Sequence, residues 1–429
     1  MNLLYVIYVC LSTLLSISLL PFIMICVLLT GRYKKLVFQR AGIYPKLFPP
    51  KKRRVWLHAV SVGEINVARS IMDVLYKTAP DIDIVLSTTT PKGFDLAQKI
   101  NHPRLQCVYS PIDFIVSVRL AFHAIRPDIL VLLETEIWPN WICISKALNV
   151  PVTIVNGRIS QKSVTGFQKF TPLVRFILQK IDAFSMISKD NANRICQLGA
   201  IPQKVYVSGN AKFDLLKQTY IPGLPAQLRS RLNIDSKTFV FVAGSTRTGE
   251  EEMVIDTYKA LCQKFPEVLC IIAPRHVERC PGIEKLFKES QLTYNRYSCC
   301  KIKGAKKTPV VLVDTIGDLA GLYSIANVVF CGGSLVPQGG QNVLEPAIWG
   351  KPVLYGPHMD DFLWAKDALE SASGGIMVSN AQDLNNQVME LANHQEHAAI
   401  IGHQARKAVL KLAGAAEKHV NIIIQQMGF

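Results

Sequence analysis

The sequence predicts an α/β protein with two doubly wound domains that face a cleft, preceded by an N-terminal membrane-anchor helix. Three observations predict it: an almost wholly apolar run at residues 3–30, two series of short apolar runs that alternate with helical stretches, and an irregular segment between the two series. With 429 residues, the chain is long enough for two domains of ordinary size.

The first element, residues 1–31, is predicted to be the anchor. About 20 apolar residues cross a bilayer, and neither a cationic start nor a small-residue cleavage site marks this run as a signal peptide. Basic residues follow the run, and we expect them to stay on the cytoplasmic side and to contact anionic membrane lipids: Arg32, Lys34, Lys35, Arg40, Lys46, Lys51, Lys52, Arg53 and Arg54. Pro21 leaves open a kinked helix or one that lies in the interface.

The next element, residues 32–213, is predicted to be an α/β domain. Its apolar runs do not alternate with polar residues, which is typical of strands buried on both faces of a parallel sheet. Six runs are predicted strands: 55–60, 83–88, 128–134, 152–157, 183–188 and 204–209. Three intervening stretches are predicted helices: 66–79, 114–125 and 140–148.

Residues 214–236 contain two prolines and a glycine, and they are predicted to be a linker. A second α/β domain is predicted over 237–396, followed by a C-terminal helix over 397–429 that packs back across the first domain. Six runs are the predicted strands of the second domain: 239–246, 268–275, 309–315, 328–334, 352–357 and 375–380. Ligands of such sheets bind beyond the carboxyl ends of the strands, so motifs at those ends are the candidates for function.

The formal charge of +16 favours an anionic partner: nucleic acid, acidic lipid or a phosphorylated substrate. The basic residues cluster beside the apolar run without interleaved aromatic residues, which argues against nucleic acid. Eleven cysteines occur without a CxxC pair, so we expect a reducing compartment, no disulfide framework and no zinc site. No HxxxH or DxD cluster follows a strand, so neither a metal nor a cofactor is predicted.

Two glycine-rich motifs mark the second domain as a nucleotide-binding candidate. FCGGS (330–334) closes a strand, and GGQNVLEPAIWG (339–350) follows it. A helix that begins near Asn342 would offer free N–H groups to a phosphate, and Glu345 could accept hydrogen bonds from ribose hydroxyls. The alternative is a tight turn with a carboxylate that the helix dipole favours.

Three further loops follow strands of the same domain. In APRH, Arg275 can pair with a phosphate in bidentate fashion, although a surface arginine is the simpler interpretation. In DTIGDL, Gly317 permits backbone contact, and the alternative is a capping turn headed by Asp314 or Thr315. AGSTRTGEEE (243–252) resembles an anion-binding loop but lacks the spacing of a P-loop.

Charged residues also follow the strands of the first domain. Glu64 comes after the first strand and could act as the general base that takes a proton from an acceptor hydroxyl. Glu134 and Glu136 follow the third predicted strand, and Lys212 follows the last. The alternatives are carboxylates that stabilise helix starts and a solvated lysine.

Asn156 and Arg158 close one more strand of the first domain, where Arg158 could meet an acidic substrate. His58 is interpreted as an oriented neighbour of Glu64 and not as a metal ligand.

Ten motifs in order resemble the 3-deoxy-D-manno-octulosonic acid (Kdo) transferases of lipopolysaccharide biosynthesis: HAVSVGE, STTTPKG, ETEIWPN, NGRIS, GNAKFD, AGST, APRH, DTIGDL, GGSL and GGQNVLEPA. The resemblance implies a metal-independent, inverting glycosyltransferase with two Rossmann-like domains of the GT-B type. It implies that the first domain, 32–213, binds the acceptor and that the second, 237–396, binds the CMP-sugar. It implies transfer of Kdo from CMP-Kdo to the lipid A precursor lipid IVA at the bacterial inner membrane, and it leaves open whether several Kdo residues are added in succession.

The resemblance also implies residue roles. Glu64 matches the catalytic base, and Glu134 and Lys212 match residues that stabilise the transition state. The matching CMP-binding residues are Pro274, Arg275, Ile316, Gly317, Asp318, Asn342, Val343, Leu344 and Glu345. The chain departs from the family pattern at Gln341, where histidine is frequent, and at Ile316-Gly317-Asp318, where Met-Gly-Glu is frequent.

Two other functions remain open at this point. One is a UDP-sugar-dependent transferase with the same fold and a lipid acceptor. The other is a non-catalytic, membrane-tethered protein that binds anions.

Overall fold

The computed structural model describes residues 3–30, 34–47, 49, 53–235, 237–300 and 308–428, without the side chains of 19–21, 23–30 and 218. Three residues of the predicted basic flank, Arg32, Lys51 and Lys52, lie outside the described residues, as does Ser236 of the predicted linker.

The strands within the described residues are β1 (Arg53–His58), β2 (Ile82–Thr88), β3 (Leu105–Tyr109), β4 (Ile129–Leu133), β5 (Val152–Gly157), β6 (Ala183–Met186), β7 (Val205–Val207), β8 (Val240–Thr246), β9 (Leu269–Pro274), β10 (Tyr294–Arg296), β11 (Val310–Leu312), β12 (Val328–Cys331), β13 (Val353–Tyr355) and β14 (Gly375–Met377).

The α-helices are α1 (Leu3–Thr30), α2 (Lys34–Arg40), α3 (Val62–Thr78), α4 (Pro91–Gln98), α5 (Ile115–Ile125), α6 (Pro139–Ala147), α7 (Gln161–Gln168), α8 (Thr171–Leu178), α9 (Lys189–Gln197), α10 (Asp214–Thr219), α11 (Leu224–Arg231), α12 (Glu250–Lys264), α13 (Cys280–Glu289), α14 (Tyr297–Cys300), α15 (Leu319–Leu322), α16 (Leu344–Ala347), α17 (Leu363–Glu370), α18 (Ala381–Asn393), α19 (Gln395–Leu412) and α20 (Ala415–Gln426). Short 3₁₀ turns cover Pro202–Lys204, Ala211–Phe213, Val277–Arg279, Tyr323–Ile325 and Asp360–Phe362.

The chain forms two compact units, and the first consists of Met1–Leu215 together with Ala413–Phe429. Its seven-stranded sheet has the order β3-β2-β1-β4-β5-β6-β7, and every neighbouring pair is parallel. Successive side chains of β1 point to opposite faces. Trp56 therefore packs into a core with Phe122 and Trp141, whereas Leu57 packs into a second core with Ile65 and residues of α20.

The second unit is Leu216–Leu412. Its seven-stranded sheet has the order β10-β11-β9-β8-β12-β13-β14 and is also parallel throughout. A core on one side of this sheet contains Phe241, Phe330 and Leu354 from the strands and Leu261 and Leu384 from α12 and α18. The prediction of two parallel α/β domains is confirmed.

Two strands, β3 and β10, were not predicted from the sequence, and each lies at one edge of its sheet. β3 is an edge strand whose first three residues are only half-buried, and β10 is a three-residue edge strand of polar and aromatic residues. Neither carries the unbroken apolar run that identified the other strands. An edge strand of a parallel sheet is covered less completely, so its sequence can be more polar.

Apart from shifts of one to four residues at the ends of α3, α5 and α6, three predicted segments differ from the structure. The predicted irregular linker 214–236 contains α10 and α11. The single helix predicted over 397–429 is two helices, because α19 ends before Gly414, which adopts the left-handed conformation (φ 97°). The helix expected from Asn342 to Gly350 is α16, a single turn.

The helix α1 covers most of the predicted membrane anchor and contacts the rest of the first unit near its start. The Tyr5 hydroxyl donates to Asn140 Oδ1 at 3.1 Å, and the Tyr8 hydroxyl donates to Asp113 Oδ2 at 2.6 Å. Tyr5 also packs beside Phe176 of α8. Among the residues whose side chains the structure describes, which leave out 19–21 and 23–30 of α1, no helix has the length and apolarity needed to cross a membrane. The predicted spanning anchor is not supported by this finding.

Candidate active site

A cavity of about 500 Å³ lies at the carboxyl edge of the first sheet. Strand order reverses between β1 and β4, and crevices at such points bind ligands in doubly wound folds. Loops after β1, β4, β5 and β7 line the cavity. They place Glu64, Glu134, Glu136, Arg158 and Lys212 around one space.

Glu64 lies in the first turn of α3, and Ser61 is the N-cap of this helix. Ser61 Oγ donates to Glu64 Oε1 at 2.9 Å and accepts a hydrogen bond from the Glu64 N–H. The Val60 N–H donates to Glu64 Oε2 at 2.8 Å. The Ser61-x-x-Glu64 spacing is that of the reciprocal cap of helix starts, but here the Glu64 side chain accepts its backbone hydrogen bond from Val60, the residue before the N-cap. A carboxylate accepts about four hydrogen bonds, so Glu64 is oriented by the cap and keeps free acceptor sites.

Glu134 follows β4 in the left-handed conformation, with φ 54°. A residue other than glycine in the left-handed region raises the free energy of the folded state by on the order of 1 kcal/mol. Residues with such backbone strain are common at functional sites. Its N–H donates to Val155 O of β5 at 3.0 Å, which fixes the turn. Glu134 Oε1 lies 4.0 Å from the Arg158 guanidinium.

Burial and the neighbouring Glu64 carboxylate raise the pKa of Glu134, whereas Arg158 and Lys212 act in the opposite direction. Burial and Glu64 likewise raise the pKa of Glu136, whose Oε2 accepts a hydrogen bond from the Trp138 indole at 2.8 Å. Clustered carboxylates are mutually destabilising when ionised, so the cavity favours a bound proton or a cation beside them.

Lys212 is held in place through two asparagines. Asn156 is buried, and its Oδ1 accepts a hydrogen bond from the Ala211 N–H at 2.9 Å. Asn210 Oδ1 accepts a hydrogen bond from the Lys212 N–H at 3.0 Å. The short turn that carries Lys212 is thus attached to the end of β5.

His58 lies behind the site and does not line the cavity. Its Nδ1 lies 2.9 Å from Ser87 Oγ, and its ring packs against Trp141. Burial lowers the pKa of His58 to about 4. A neutral, buried imidazole in this position agrees with the interpretation of His58 as a structural neighbour.

The predicted CMP-binding residues lie at or just beyond the carboxyl ends of β9, β11 and β12 in the second unit, in the loops there and in the first turn of α16. Arg275 is exposed, and its N–H donates to Thr246 O at 3.0 Å, which ties its loop to the end of β8. Pro274 is the last residue of β9 and is buried. In the sheet order, β8 separates β9 from β12, so these loops occupy neighbouring positions along one edge.

The Ile316-Gly317-Asp318 segment follows β11 and precedes α15. Ile316 is 87% exposed, and Gly317 has φ 92°, a conformation that favours glycine. Asp318 Oδ2 accepts a hydrogen bond from the Thr315 hydroxyl at 2.6 Å. The segment therefore presents an ordered turn with a large exposed side chain.

The Asn342–Glu345 segment forms the start of α16. Val343 and Leu344 are buried, whereas Asn342 and Glu345 are half-buried. Asn342 Oδ1 accepts a hydrogen bond from the Leu344 N–H at 3.2 Å, and its Nδ2 donates to Glu345 Oε1 at 3.3 Å. Of the four residues, Asn342 and Glu345 can contact a ligand, while Val343 and Leu344 anchor the segment.

The N–H groups of the GGSL loop already have an internal partner. The buried Glu250 carboxylate accepts hydrogen bonds from Gly333, Ser334 and Leu335, at 2.7, 3.1 and 3.0 Å. Glu250 also accepts from the Arg247 N–H at 2.9 Å. A Cβ at Gly332 would lie 2.8 Å from Glu250 Oε2 and 2.6 Å from Thr246 Cα, so only glycine fits there.

The sequence reasoning missed Ser61, Asn210 and Glu250 as parts of these sites. The Ser61-x-x-Glu64 spacing is a detectable capping signal, and Asn210 precedes Lys212 in the GNAKFD motif. Glu250 lies in a run of three glutamates that reads as an exposed helix start. Nothing local distinguishes it from Glu252, which is exposed.

The family profile described as 3-deoxy-D-manno-octulosonic-acid transferase (kdotransferase) matches residues 35–215. A 3-deoxy-D-manno-octulosonic acid transferase of Haemophilus influenzae is 28% identical over 393 residues, which cover 91% of each chain. A bifunctional glycosyltransferase/methyltransferase of Fusobacterium nucleatum is 36% identical over 344 residues, 80% of this chain. The match covers 53% of that relative, so the chain spans about half of its length.

A solved UDP-GlcNAc 2-epimerase from Neisseria meningitidis, bound to UDP-GlcNAc, is similar with a TM-score of 0.57 over 87% of this chain and 100% of the epimerase. Its sequence identity is 14%, so this likeness shows the fold alone. The family match and the relatives that align over most of the chain agree with the ten sequence motifs. The chain is similar to Kdo transferases over most of its length, and its residues 35–215 match their family profile.

Proposed function

We propose that the protein transfers Kdo from CMP-Kdo to the lipid A precursor lipid IVA with inversion at the anomeric carbon. The observation that carries the proposal is the cavity of the first unit, where Glu64, Glu134 and Lys212 converge. The family relatives support Kdo as the transferred sugar, and the acceptor is inferred from the resemblance. Because lipid IVA is an anionic glycolipid, the net charge of +16 also supports it.

In the proposed reaction, Glu64 acts as general base. Its carboxylate takes the proton of an acceptor sugar hydroxyl while that oxygen forms a bond to the anomeric carbon of Kdo. The bond from this carbon to the phosphate oxygen breaks, and CMP leaves with the electron pair. The capping hydrogen bonds from Ser61 and Val60 hold the carboxylate in one orientation, which general-base catalysis requires.

Glu134 and Lys212 are proposed to stabilise the transition state. Lys212 can neutralise negative charge that develops on the leaving group or the carboxylate of Kdo. Glu134 can stabilise positive charge that develops at the anomeric centre. Arg158, 4.0 Å from Glu134, balances the charge of that carboxylate before substrate binds.

The loops of the second unit are proposed to bind CMP. Arg275 would pair with the phosphate, and Glu345 would accept hydrogen bonds from the ribose hydroxyls. The nucleotide would contact the backbone of Gly317 and the side chains of its neighbours Ile316 and Asp318. Glu250 contributes indirectly, because its carboxylate fixes the GGSL loop, and Gly333 O of that loop accepts a hydrogen bond from the Gly340 N–H, two residues before Asn342.

We propose further that the protein works at the cytoplasmic face of the bacterial inner membrane. The apolar side chains of Leu11, Leu14 and Leu15 on α1 are more than half exposed, and basic residues follow the helix. Exposed leucines at this spacing together with cations are typical of contact with anionic lipid. Flotation of the protein with vesicles of phosphatidylglycerol, against vesicles of phosphatidylcholine, tests this contact. Equal flotation of wild type and an L11S/L14S/L15S variant would contradict it.

The direct test is an assay of the purified protein with CMP-Kdo and lipid IVA, analysed by mass spectrometry. We expect a mass gain in whole Kdo increments, and their number shows whether one or several residues are added. An unchanged acceptor with intact CMP-Kdo would overturn the proposed reaction. Consumption of a UDP-sugar in a parallel reaction would then favour the UDP-dependent alternative.

A further inference from the structure

The second unit contains another cationic cavity, of about 330 Å³, at the opposite edge of its sheet. Arg229 precedes β8, Ser324 precedes β12 and Lys351 precedes β13, so the cavity lies toward the amino ends of these strands. The proposed CMP-binding loops follow the carboxyl ends. The cavity is therefore separate from the nucleotide site.

Two aromatic rings and an arginine form one wall of this cavity. The Arg406 guanidinium lies over the ring of Tyr220, 4.4 Å from its centroid, and Tyr220 packs against Trp349 with centroids 5.1 Å apart. Stacking on an aromatic ring orients a guanidinium and leaves its N–H groups free for an anion. Arg406 Nε is buried and has no hydrogen-bond partner in the structure.

Arg229 and Lys351 also line the cavity. Arg229 is held by the backbone, because its Nη1 donates to Asp235 O at 2.5 Å and its Nη2 to Ile325 O at 3.3 Å. Lys351 is half-buried, and burial together with the nearby Arg229 lowers its pKa to about 8. At neutral pH the ammonium group therefore remains charged at a cost in free energy.

Burial lowers the pKa of Arg229, and the nearby Asp235 carboxylate acts in the opposite direction without forming an ion pair within 4.0 Å. Among the described residues, no carboxylate lies within 4.0 Å of the charged nitrogens of Arg229, Lys351 or Arg406. The Ser324 hydroxyl also lines the cavity, is 4% exposed and has no hydrogen-bond partner. Buried polar groups are normally paired, so an unpaired hydroxyl beside three cations indicates a ligand position.

We propose that this cavity binds a phosphate group, with Arg229, Lys351 and Arg406 as its cationic contacts and Ser324 as a hydroxyl donor. Its volume is that of a small-ligand site, and Tyr220 offers an apolar surface to whatever carries the phosphate. The phosphate can belong to a soluble metabolite or to a lipid headgroup. The site takes no part in the proposed transfer reaction, so it can hold even if that reaction is wrong.

The test is isothermal titration calorimetry of the full-length protein with inorganic pyrophosphate, in the presence of saturating CMP to block the nucleotide loops. We expect binding to the wild type and about ten-fold weaker binding to Lys351→Gln and Arg406→Gln, each of which removes one charge. The matched control is Lys285→Gln, an exposed cation of α13 that forms only a surface ion pair with Glu289. Lys351→Arg keeps the charge and should bind within a few-fold of wild type.

A second arm identifies the source of the phosphate by co-sedimentation with vesicles of phosphatidic acid or of phosphatidylcholine. Loss of the phosphatidic acid preference in Lys351→Gln assigns a lipid headgroup, whereas pyrophosphate binding without such a preference assigns a soluble ligand. The proposal is overturned if pyrophosphate does not bind at millimolar concentration, or if Lys351→Gln and Arg406→Gln bind as Lys285→Gln does. If the glutamine variants fail to fold, pyrophosphate binding is measured with Lys351→Arg and Ser324→Ala instead. Unchanged pyrophosphate binding in Ser324→Ala removes Ser324 from the site.

Discussion

Glu250 Oε2 accepts a hydrogen bond from the Gly333 N–H at 2.7 Å, so a buried carboxylate occupies the position that a phosphate would take in an anion-binding loop. Each Glu250 oxygen accepts two N–H groups, and burial raises the pKa of this carboxyl group. An internal anion can therefore fix a glycine-rich loop before any ligand binds.

Replacing Glu250 by glutamine should destabilise the second unit by about 1–3 kcal/mol, because the amide nitrogen would face two N–H donors. Chemical denaturation measures the stability, and calorimetry with CMP measures the affinity, which we expect to fall as the loop loosens. Glu252→Gln is the matched control, since Glu252 lies exposed in the same helical turn. Equal stability of the two variants would refute the role of the buried carboxylate.

Replacing Glu64 by glutamine should lower kcat by about 10²- to 10⁴-fold, because the amide cannot take the acceptor proton. Steady-state kinetics with a thermal unfolding control measures this effect. Glu396→Gln is the matched control, since Glu396 is an exposed carboxylate in the first turn of α19. Near-normal turnover of a folded Glu64→Gln protein would rule out Glu64 as the base.

Replacing Ser61 by alanine tests the positioning of Glu64. The variant loses the N-cap, at about 1 kcal/mol of stability, and one of the two groups that orient the carboxylate. We expect a lower kcat with little change in KM, and Ser61→Thr should restore most of the rate. A purely structural role would lower the melting temperature and leave kcat unchanged.

Replacing Lys212 by methionine should move the acid limb of the pH–rate profile to higher pH. Lys212 lowers the pKa of Glu134, so its removal raises that pKa further, and Glu134 then ionises at higher pH. Lys212→Arg should retain the wild-type profile. An unchanged acid limb in Lys212→Met would show that ionisation of Glu134 does not control the rate.

His419 makes the stability of the first unit depend on pH. It lies on α20, its Nδ1 is 2.7 Å from Ser185 Oγ, and burial lowers its pKa to about 4. The unfolded chain takes up this proton near pH 6.5 and the folded protein only near pH 4. The contribution of His419 is therefore complete above pH 6.5 and is lost as the pH falls to 4, by at most about 3 kcal/mol.

The measurement is chemical denaturation of wild type and His419→Gln at pH 7 and pH 4.5. We expect the variant to lose less stability between the two pH values than the wild type. His123→Gln, which replaces an exposed histidine of α5, should behave as the wild type. Equal losses of stability in wild type and His419→Gln between the two pH values would show that this pH dependence does not come from His419.

The sequence was most informative where strands are buried on both faces, as in β1, β4 and β9. The edge strands β3 and β10 were missed because incomplete burial permits polar residues there. Convergence of Glu64, Glu134 and Lys212 could be predicted because the carboxyl ends of parallel strands share one edge. The sequence did not predict the left-handed backbone of Glu134 or the hydrogen-bond partners of Glu250, because both depend on contacts between distant parts of the chain.

The helix α20 gives the first unit an unusual folding order. Its Ala416, Val420 and Ile423 complete the core beside α3, and the N–H groups of Gly414 and Ala416 donate to the Asp214 carboxylate. The ribosome, however, makes α20 only after all of Leu216–Leu412, that is 412 − 215 = 197 residues. At about 5–20 residues per second, the open core of the first unit waits on the order of 10–40 s for its last helix. During synthesis, this exposed surface is where a chaperone would be needed.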